Sequence, residues 1–267
     1  MNSKFSATAR VTAIASGKGG VGKTNVSVNL AVALGKVGRR TLLVDCDMGL
    51  ANAGILMGLD SNWTLADVLA RHCELGDIVQ PGPGGVCLVP GHSGTGIGST
   101  LSDSERGRLI DGLRREASGF DEIVIDTGSG IANQNLGLVA AADTILIVLV
   151  PEPTSFMDAY AVVKGLAVGH GCAAFSIVTN MVESEESGRE LFDHFRSVIG
   201  RFLDVELNHL GSVPQDPYLK QAVVRKRCCV DAYPSSRAGK AFVRLAERMS
   251  RPVHASIPIL ETVDGAC

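Results

Sequence analysis

The 267-residue sequence has no apolar run long enough to cross a membrane and no excess of basic charge. Its longest apolar stretch, TILIVLV at 144–150, falls far short of the roughly 18 residues that a membrane-spanning helix needs. The opening residues, MNSKFSATAR, contain no apolar core, so they do not indicate a secretory signal. With a net charge of −3, the whole chain has no drive towards nucleic acid or acidic lipid. We therefore expect weak or no membrane association and no nucleic-acid partner.

The seven cysteines and six histidines show none of the spacings that are typical of zinc sites. The cysteine count is odd, no CxxC pair occurs, and the histidines are scattered along the chain. Such a pattern disfavours both a zinc centre and a disulfide framework. Free thiols are the usual state in a reducing cytosol, so we expect a cytoplasmic protein.

The stretch ASGKGGVGKTN at 15–25 has the spacing of a Walker A phosphate-binding loop. Glycines let the backbone turn its N–H groups towards phosphate oxygens, and the following helix points its positive end at the same anion. In this layout Lys23 reaches the β- and γ-phosphates, and the hydroxyl of Thr24 binds Mg²⁺. We predict that ATP is held by the residues of this loop: Gly17, Gly19, Gly20, Val21, Gly22, Lys23, Thr24 and Asn25.

Apolar runs typical of strands alternate with helical patterns along the chain, which predicts a mostly parallel sheet with helices on both faces. Hydrophobic residues make up 45% of the sequence, enough for one large α/β core. We predict strands at 11–16, 41–45, 86–90, 122–126, 144–150, 174–180 and 207–213. We predict helices near 24–36, 104–117, 133–141, 154–168, 184–202, 217–226 and 236–250. The expected organisation is a flexible N-terminus at 1–10, one P-loop NTPase domain at 11–250 and an irregular tail at 251–267.

A P-loop enzyme also needs carboxylates for Mg²⁺ and water at the carboxyl ends of its strands. Asp45 and Asp47 close the apolar run TLLVDCD, and two residues on an extended chain point to the same side. Asp126 follows the apolar run EIVI, where a Walker B carboxylate is expected. The alternative for each of these residues is that it only caps a loop.

The stretch IDTGSG at 125–130 also has the look of an aspartic protease motif. Protease chemistry of that kind needs two aspartates that share a proton. Only one Asp-Thr-Gly occurs in this sequence, so a protease would have to be a homodimer. It would also leave the Walker A loop unexplained, and we therefore favour nucleotide chemistry.

The loop contains a second lysine, Lys18, for which an ordinary Walker A motif has no use. GKGGVGKT with this extra lysine resembles the deviant Walker A loop of the MinD/ParA ATPases, and DCDMGLAN and IDTGSGI resemble that family's switch regions. The resemblance implies slow, Mg²⁺-dependent hydrolysis of ATP to ADP and phosphate by two protomers that close face to face around two ATP molecules. It also implies that Lys23 serves its own ATP and Lys18 the partner's, as an arginine finger supplied in trans does.

The same resemblance gives roles to the three strand-end carboxylates. Asp47 would position or activate the water that attacks the γ-phosphate. Asp45 and Asp126, together with Thr24, would support Mg²⁺, and the two carboxylates would do so mostly through water. The resemblance therefore implies that Lys18, Lys23 and Asp47 are the residues that catalyse ATP hydrolysis.

Further residues of the site are implied by the resemblance to lie beyond the loop and the switch regions. Glu152 would touch the partner's nucleotide, and Asp158 would hold Lys18 when the protein is monomeric. The alternative for both acids is a charge at a helix N-terminus. Asn180 is either an adenine contact or a loop amide at a strand end. The remaining residues expected around adenine are Pro214, Gln215 and Asp216.

Within the family, several interleaved stretches between residues 10 and 250 resemble the flagellar number regulators of the FlhG/FleN type. They include TLADVL, PGGVCLVPGHSGT, EPTSFMDAYAVVK and RFLDVELNHLGSVPQD. The likeness implies a homodimer with ATP that engages a flagellar transcription activator or an FlhF-like GTPase, with recruitment to the cell pole or inner membrane face. MNSKFSATAR lacks the DQA-type segment that some relatives use to stimulate the GTPase, and the tail contains Pro252 and Pro258 in place of an amphipathic membrane helix.

The sequence leaves other functions of the same family open. A DNA-segregation ATPase needs a basic surface, for which 225–227 and the basic positions of 236–250 are the candidates. A division-site regulator of the MinD kind and a binding module with negligible turnover are further alternatives. The segment 236–250 either packs on the core or binds a membrane or partner, because it has an apolar side made of Ala238, Ala241, Phe242, Leu245 and Met249.

Overall fold

The computed structural model describes residues 9–48, 51–92, 101–130 and 133–251, with nothing described of the side chains at 133–135. The expected terminal segments therefore lie almost wholly outside the described residues. The strands are β1 (Arg10–Ala15), β2 (Thr41–Cys46), β3 (Gln80–Pro81), β4 (Val86–Val89), β5 (Glu122–Thr127), β6 (Thr144–Leu149), β7 (Ala174–Val182) and β8 (Glu206–Pro214). The helices are α1 (Lys23–Lys36), α2 (Ala53–Met57), α3 (Leu65–Leu69), α4 (Asp103–Glu116), α5 (Asn133–Ala140), α6 (Pro153–His170), α7 (Glu185–Ile199), α8 (Pro217–Val224), α9 (Cys229–Ala232) and α10 (Arg237–Ser250).

The strands form one eight-stranded sheet in the order β3-β4-β2-β5-β1-β6-β7-β8. Every neighbouring pair of the described sheet is parallel except β3 and β4, which run antiparallel at one edge. The central strands are apolar without alternation because helices cover both of their sides. The prediction of a single α/β domain with a mostly parallel sheet is confirmed.

Two apolar layers bury the two faces of the sheet. One layer includes Leu113 of α4, Val162 of α6 and Phe195 of α7. The other includes α1, whose residues from Val26 to Leu34 are all buried, together with Phe242 of α10. The predicted apolar side of 236–250 is buried in this second layer, so its role there is to pack on the core.

The carboxyl ends of the central strands meet at one edge of the sheet because these strands are parallel. β1 lies between β5 and β6, and β2 lies on the other side of β5. In the register of β2 and β5, Asp45 is directly beside Asp126. The loop after β1 and the two strand-end carboxylates are thus brought together by topology, at the position where open α/β sheets bind ligands.

None of the helices in the described part of the chain has the length and apolar character of a membrane-spanning segment.

Candidate active site

The loop between β1 and α1 wraps in the conformation that a phosphate-binding loop requires. Gly20 and Gly22 have φ values of 83° and 81°, a left-handed conformation that glycine adopts without strain. Gly22 stands directly before α1, and no side chain caps the helix there. The first N–H groups of α1 consequently have no side-chain partner at Gly22, which leaves them able to bind an anion.

Two glycines of the loop are needed because other elements press against the backbone. A Cβ atom at Gly22 would lie 2.6 Å from the amide nitrogen of Asn180, at the end of β7. A Cβ atom at Gly17 would collide with the backbone of Asp158 in α6. The loop is therefore clamped between β7 on one side and α6 on the other, and any larger residue would force it out of place.

Lys23 begins α1 and is almost completely buried, with 6% of its side chain exposed. Its Nζ atom lies 2.8 Å from Oδ1 of Asp126, at the end of β5. The hydroxyl of Ser27, one turn further along α1, lies 2.8 Å from the same oxygen. The second oxygen of Asp126, Oδ2, is buried and has no hydrogen-bond partner among the described residues. Such an orphaned carboxylate oxygen is suited to a cation or a water molecule bound to one.

Asp45 is buried beside Asp126, and the two carboxylates affect each other. Backbone N–H groups of Ala53 and Asp47 donate to Asp45 at 2.9 and 3.2 Å. Burial, followed by the nearby charge of Asp126, raises the pKa of Asp45 to about 7. Lys23 forms an ion pair with only one of these two carboxyl groups, and oxygen ligands of this kind suit Mg²⁺.

Lys18 lies at the rim of the site with 40% of its side chain exposed. Its Nζ atom is 2.9 Å from an oxygen of Glu152 and 3.0 Å from the hydroxyl of Thr154. The expected partner in the monomer was Asp158, and this expectation is wrong. Glu152 immediately precedes α6 and faces Lys18 at the helix N-terminus, whereas Asp158 lies further along the helix with its backbone against Gly17.

Asn180, in β7, holds the loop through a hydrogen bond. Its amide nitrogen donates to the carbonyl of Val21 at 2.8 Å, and its Oδ1 atom is buried without a hydrogen-bond partner among the described residues. An unpaired acceptor next to the loop fits a donor on a bound ligand. The adenine contact expected for Asn180 is compatible with this geometry and stays a prediction.

The other residues expected around adenine lie at the end of β8 and the start of α8. Asp216 is buried, and its two oxygens accept from the backbone N–H groups of Tyr218 and Ala238, both at 2.8 Å. Asp216 thereby joins the starts of α8 and α10. Pro214 ends β8, and Gln215 is exposed, with its backbone N–H donating to Val182 at 2.8 Å. Their contact with adenine also stays a prediction.

The remaining predicted residues surround the same centre. Thr24 and Asn25 are half-buried in the first turn of α1, and Asp47 is half-buried just beyond β2. Sequence reasoning missed Ser27, although its place four residues after Lys23 puts both on one side of α1. No group of three or more His, Cys, Asp or Glu side chains in the described ranges could hold a metal ion alone. A cation here would therefore depend on phosphate oxygens and water as well, as Mg²⁺ commonly does.

Comparisons of the sequence find similar known proteins that cover more than half of the chain. A sequence model of a family described as an AAA domain matches residues 9–166, more than half of the chain. The chain is 44% identical over 240 residues to the antiactivator FleN of Pseudomonas aeruginosa, covering 90% of this chain and 86% of that protein. It is 31% identical over 235 residues to the flagellum site-determining protein YlxH of Helicobacter pylori, covering 88% and 79% of the two chains.

Solved structures share the fold as well. The septum site-determining protein MinD from Pyrococcus horikoshii, complexed with Mg-ADP, superposes with a TM-score of 0.75 at 27% identity. The superposition covers 91% of this chain and 96% of that one. The Walker A loop, the strand-end carboxylates and the eight-stranded sheet are thus found in a chain that shares its fold with a protein solved in complex with Mg-ADP.

Proposed function

This chain belongs to the MinD/ParA-type ATPases and is similar to FleN over most of its length, and from that premise we propose an ATP-driven dimerisation switch that limits flagellar number or placement. The observation that carries the proposal is the pair of lysines on one loop. Lys23 is buried beside Asp126, whereas Lys18 lies at the exposed rim. These surroundings support a role for Lys23 at the nucleotide of its own protomer and for Lys18 at that of a second molecule.

ATP binding rests on the loop and on an exchange of partners by Lys23. The N–H groups at the start of α1 and the backbone of 17–22 receive the phosphates. Lys23 leaves Asp126 and pairs with the β- and γ-phosphates, and Thr24 and the carboxylates of Asp45 and Asp126 would hold the cation directly or through water. Mg²⁺, when bound, neutralises charge that develops on the phosphates. Adenine lies by Asn180, with Pro214, Gln215 and Asp216 around it.

Hydrolysis requires a second protomer in this proposal. Asp47, beyond β2, orients the attacking water. Lys18 exchanges Glu152 for the γ-phosphate region of the partner's ATP, where a cation stabilises the charge of the transition state. Glu152, freed from Lys18, then contacts the partner's nucleotide. Turnover is slow because the site is completed only when two loaded protomers meet.

The output of the switch is binding to a flagellar protein. In the dimer with ATP, the protein engages a flagellar transcription activator or an FlhF-like GTPase, and hydrolysis releases it. We place this activity in the cytoplasm, with recruitment to the cell pole or the inner membrane face through the partner. The similarity to an antiactivator and to a flagellum site-determining protein supports this output over the other members of the family.

Binding to DNA receives less support because much of the candidate basic surface is engaged within the chain. Arg244 and Arg248 of α10 lie 3.8 and 3.5 Å from Glu185, and Arg237 donates to the carbonyl of Glu183. Arg227 pairs with Asp231 at 2.8 Å. The ion pairs with Glu185 and Asp231 lower the positive charge that phosphates would meet, and the bond of Arg237 occupies one of its donors.

The first experiment is a count of flagella per cell in a deletion strain of the source organism, complemented with wild type or with Lys23→Ala. We expect extra or misplaced flagella after deletion. Wild type should restore the normal count, and Lys23→Ala should not restore it. A normal count after deletion would contradict the flagellar role and leave the proposed ATPase activity unaffected. Steeply salt-dependent binding to random duplex DNA would then favour segregation, and co-sedimentation with lipid vesicles would favour division-site positioning.

The dimerisation step has its own test in Asp47→Ala. We expect this variant to bind ATP within about threefold of wild type, since Asp47 acts on the water rather than on the nucleotide. Hydrolysis should be lost, so the dimer with ATP should accumulate and be visible by light scattering. A variant that stays monomeric at saturating ATP would show that the face-to-face arrangement is wrong.

A further inference from the structure

Ser27 lies at the centre of the site, within hydrogen-bond distance of Asp126. It is fully buried in α1, and its hydroxyl is near two acceptors. One is Oδ1 of Asp126 at 2.8 Å, and the other is the carbonyl of Lys23 at 3.0 Å. A serine hydroxyl has a single proton, so it donates to one of these oxygens at a time.

Ser27 and Lys23 share one acceptor in this structure. In this structure the ammonium group of Lys23 already donates to Oδ1 of Asp126 at 2.8 Å. The serine proton is then free to go to the carbonyl one turn back, a bond that serines in helices commonly make. When Lys23 moves to the phosphates, Oδ1 of the buried carboxylate of Asp126 loses its charged donor. An unpaired buried charge is costly unless a donor replaces the lost one.

We propose that Ser27 is the positioning residue that takes over Asp126 when Lys23 leaves for ATP. Its proton turns from the carbonyl of Lys23 to Oδ1 of Asp126, with no movement of the helix, because both acceptors are already within hydrogen-bond distance. Asp126 keeps one oxygen held by Ser27, and Oδ2, unpaired in this structure, stays directed at the cation site. Ser27 thus lowers the cost of releasing Lys23. This inference rests on the proposed ATP binding by the loop.

The test measures affinity for a fluorescent ATP analogue, with Mg²⁺ present, in a double-mutant cycle of Ser27→Ala and Asp126→Asn. We expect Ser27→Ala to weaken binding by about tenfold, the usual size of one hydrogen bond to a charged group. In the Asp126→Asn background the same change should cost less than about threefold, because no charge is left to hold. An equal loss in both backgrounds would mean that Ser27 only packs the helix, and would overturn the proposal.

A matched control is Thr12→Val, which removes another fully buried hydroxyl, in β1. The Oγ1 atom of Thr12 has no hydrogen-bond partner among the described residues, so its loss should leave affinity within about twofold. If Ser27→Ala does not fold by circular dichroism, Ser27→Cys keeps the volume with a weaker donor. Wild-type affinity in whichever serine variant folds would overturn the inference. Wild-type protein that binds no analogue would instead contradict the proposed function.

Discussion

The two lysines of the loop, five residues apart in sequence, have opposite surroundings. Lys23 is buried against Asp126, whose carboxylate is fully enclosed. Lys18 pairs with Glu152 at the surface, where both side chains are at least 40% exposed. An ion pair in the interior has a strong Coulombic attraction, and neither charge can be left alone there, whereas a solvated pair is weak and easily exchanged.

This difference suggests an order of events. Releasing Lys23 has a large cost, which only a strongly charged ligand such as ATP can offset. Releasing Lys18 has a small cost because its partner Glu152 is solvated. In the proposed switch, nucleotide binding is therefore the energetically demanding step, and the exchange of Lys18 between protomers requires little free energy.

Of the two lysines, Lys23 should give the larger effect when it is replaced. We expect Lys23→Ala to abolish measurable ATP binding and to lower the free energy of unfolding by about 3 kcal/mol, because the charge of Asp126 stays buried without its partner. Nucleotide titration and urea unfolding measure the two effects. Adding Asp126→Asn should recover most of the stability and none of the ATP binding. Unchanged stability in Lys23→Ala would mean that the buried pair is not formed in solution.

Lys18 should show the opposite profile. We expect Lys18→Ala to leave the free energy of unfolding within about 0.5 kcal/mol and to slow hydrolysis by at least about 100-fold. Mixing this variant with Asp47→Ala should restore about a quarter of wild-type turnover, since half of the dimers are mixed and each has one complete site. An inactive mixture would place the action of Lys18 within its own protomer.

A smaller effect is expected in how the free energy of unfolding depends on pH, and it comes from Asp45. The pKa of Asp45 is raised to about 7 by burial and by Asp126, whereas in the unfolded chain an aspartate titrates near pH 4. Between these values the folded protein keeps a proton that the unfolded chain has released. The free energy of unfolding should thus fall as pH rises from about 4 to 7, by at most about 1.4 kcal/mol per unit from this group. Urea unfolding in EDTA should show this slope, and Asp45→Asn should flatten it.

Most of the fold could be predicted because its signals are local. The seven predicted strands and seven predicted helices are all present, with bounds within three residues of those observed. Buried parallel strands form continuous apolar runs, and the Walker A spacing fixes the turn between β1 and α1. The strand β3 and the helices α2, α3 and α9 were missed because each is too short to show a period.

The contacts of the site were harder to predict because they depend on how distant elements approach each other. Glu152 and Asp158 carry the same chemistry, and only the seating of the first turn of α6 beside the loop decides which one pairs with Lys18. The bond between Ser27 and Asp126 joins residues 99 positions apart. Nothing near Ser27 in the sequence indicates it, because it arises from β5 passing under α1.

The central place of β1 also affects how the protein is made. β1 pairs with β5 on one side and with β6 on the other, and the latter ends at Leu149. A ribosome that has synthesised only the loop and α1 has produced the ATP motif without the strands that support it. The loop must await more than half of the chain, and contacts so far apart in sequence form slowly. A nascent chain able to retain ATP is therefore one in which the middle of the sheet has already assembled.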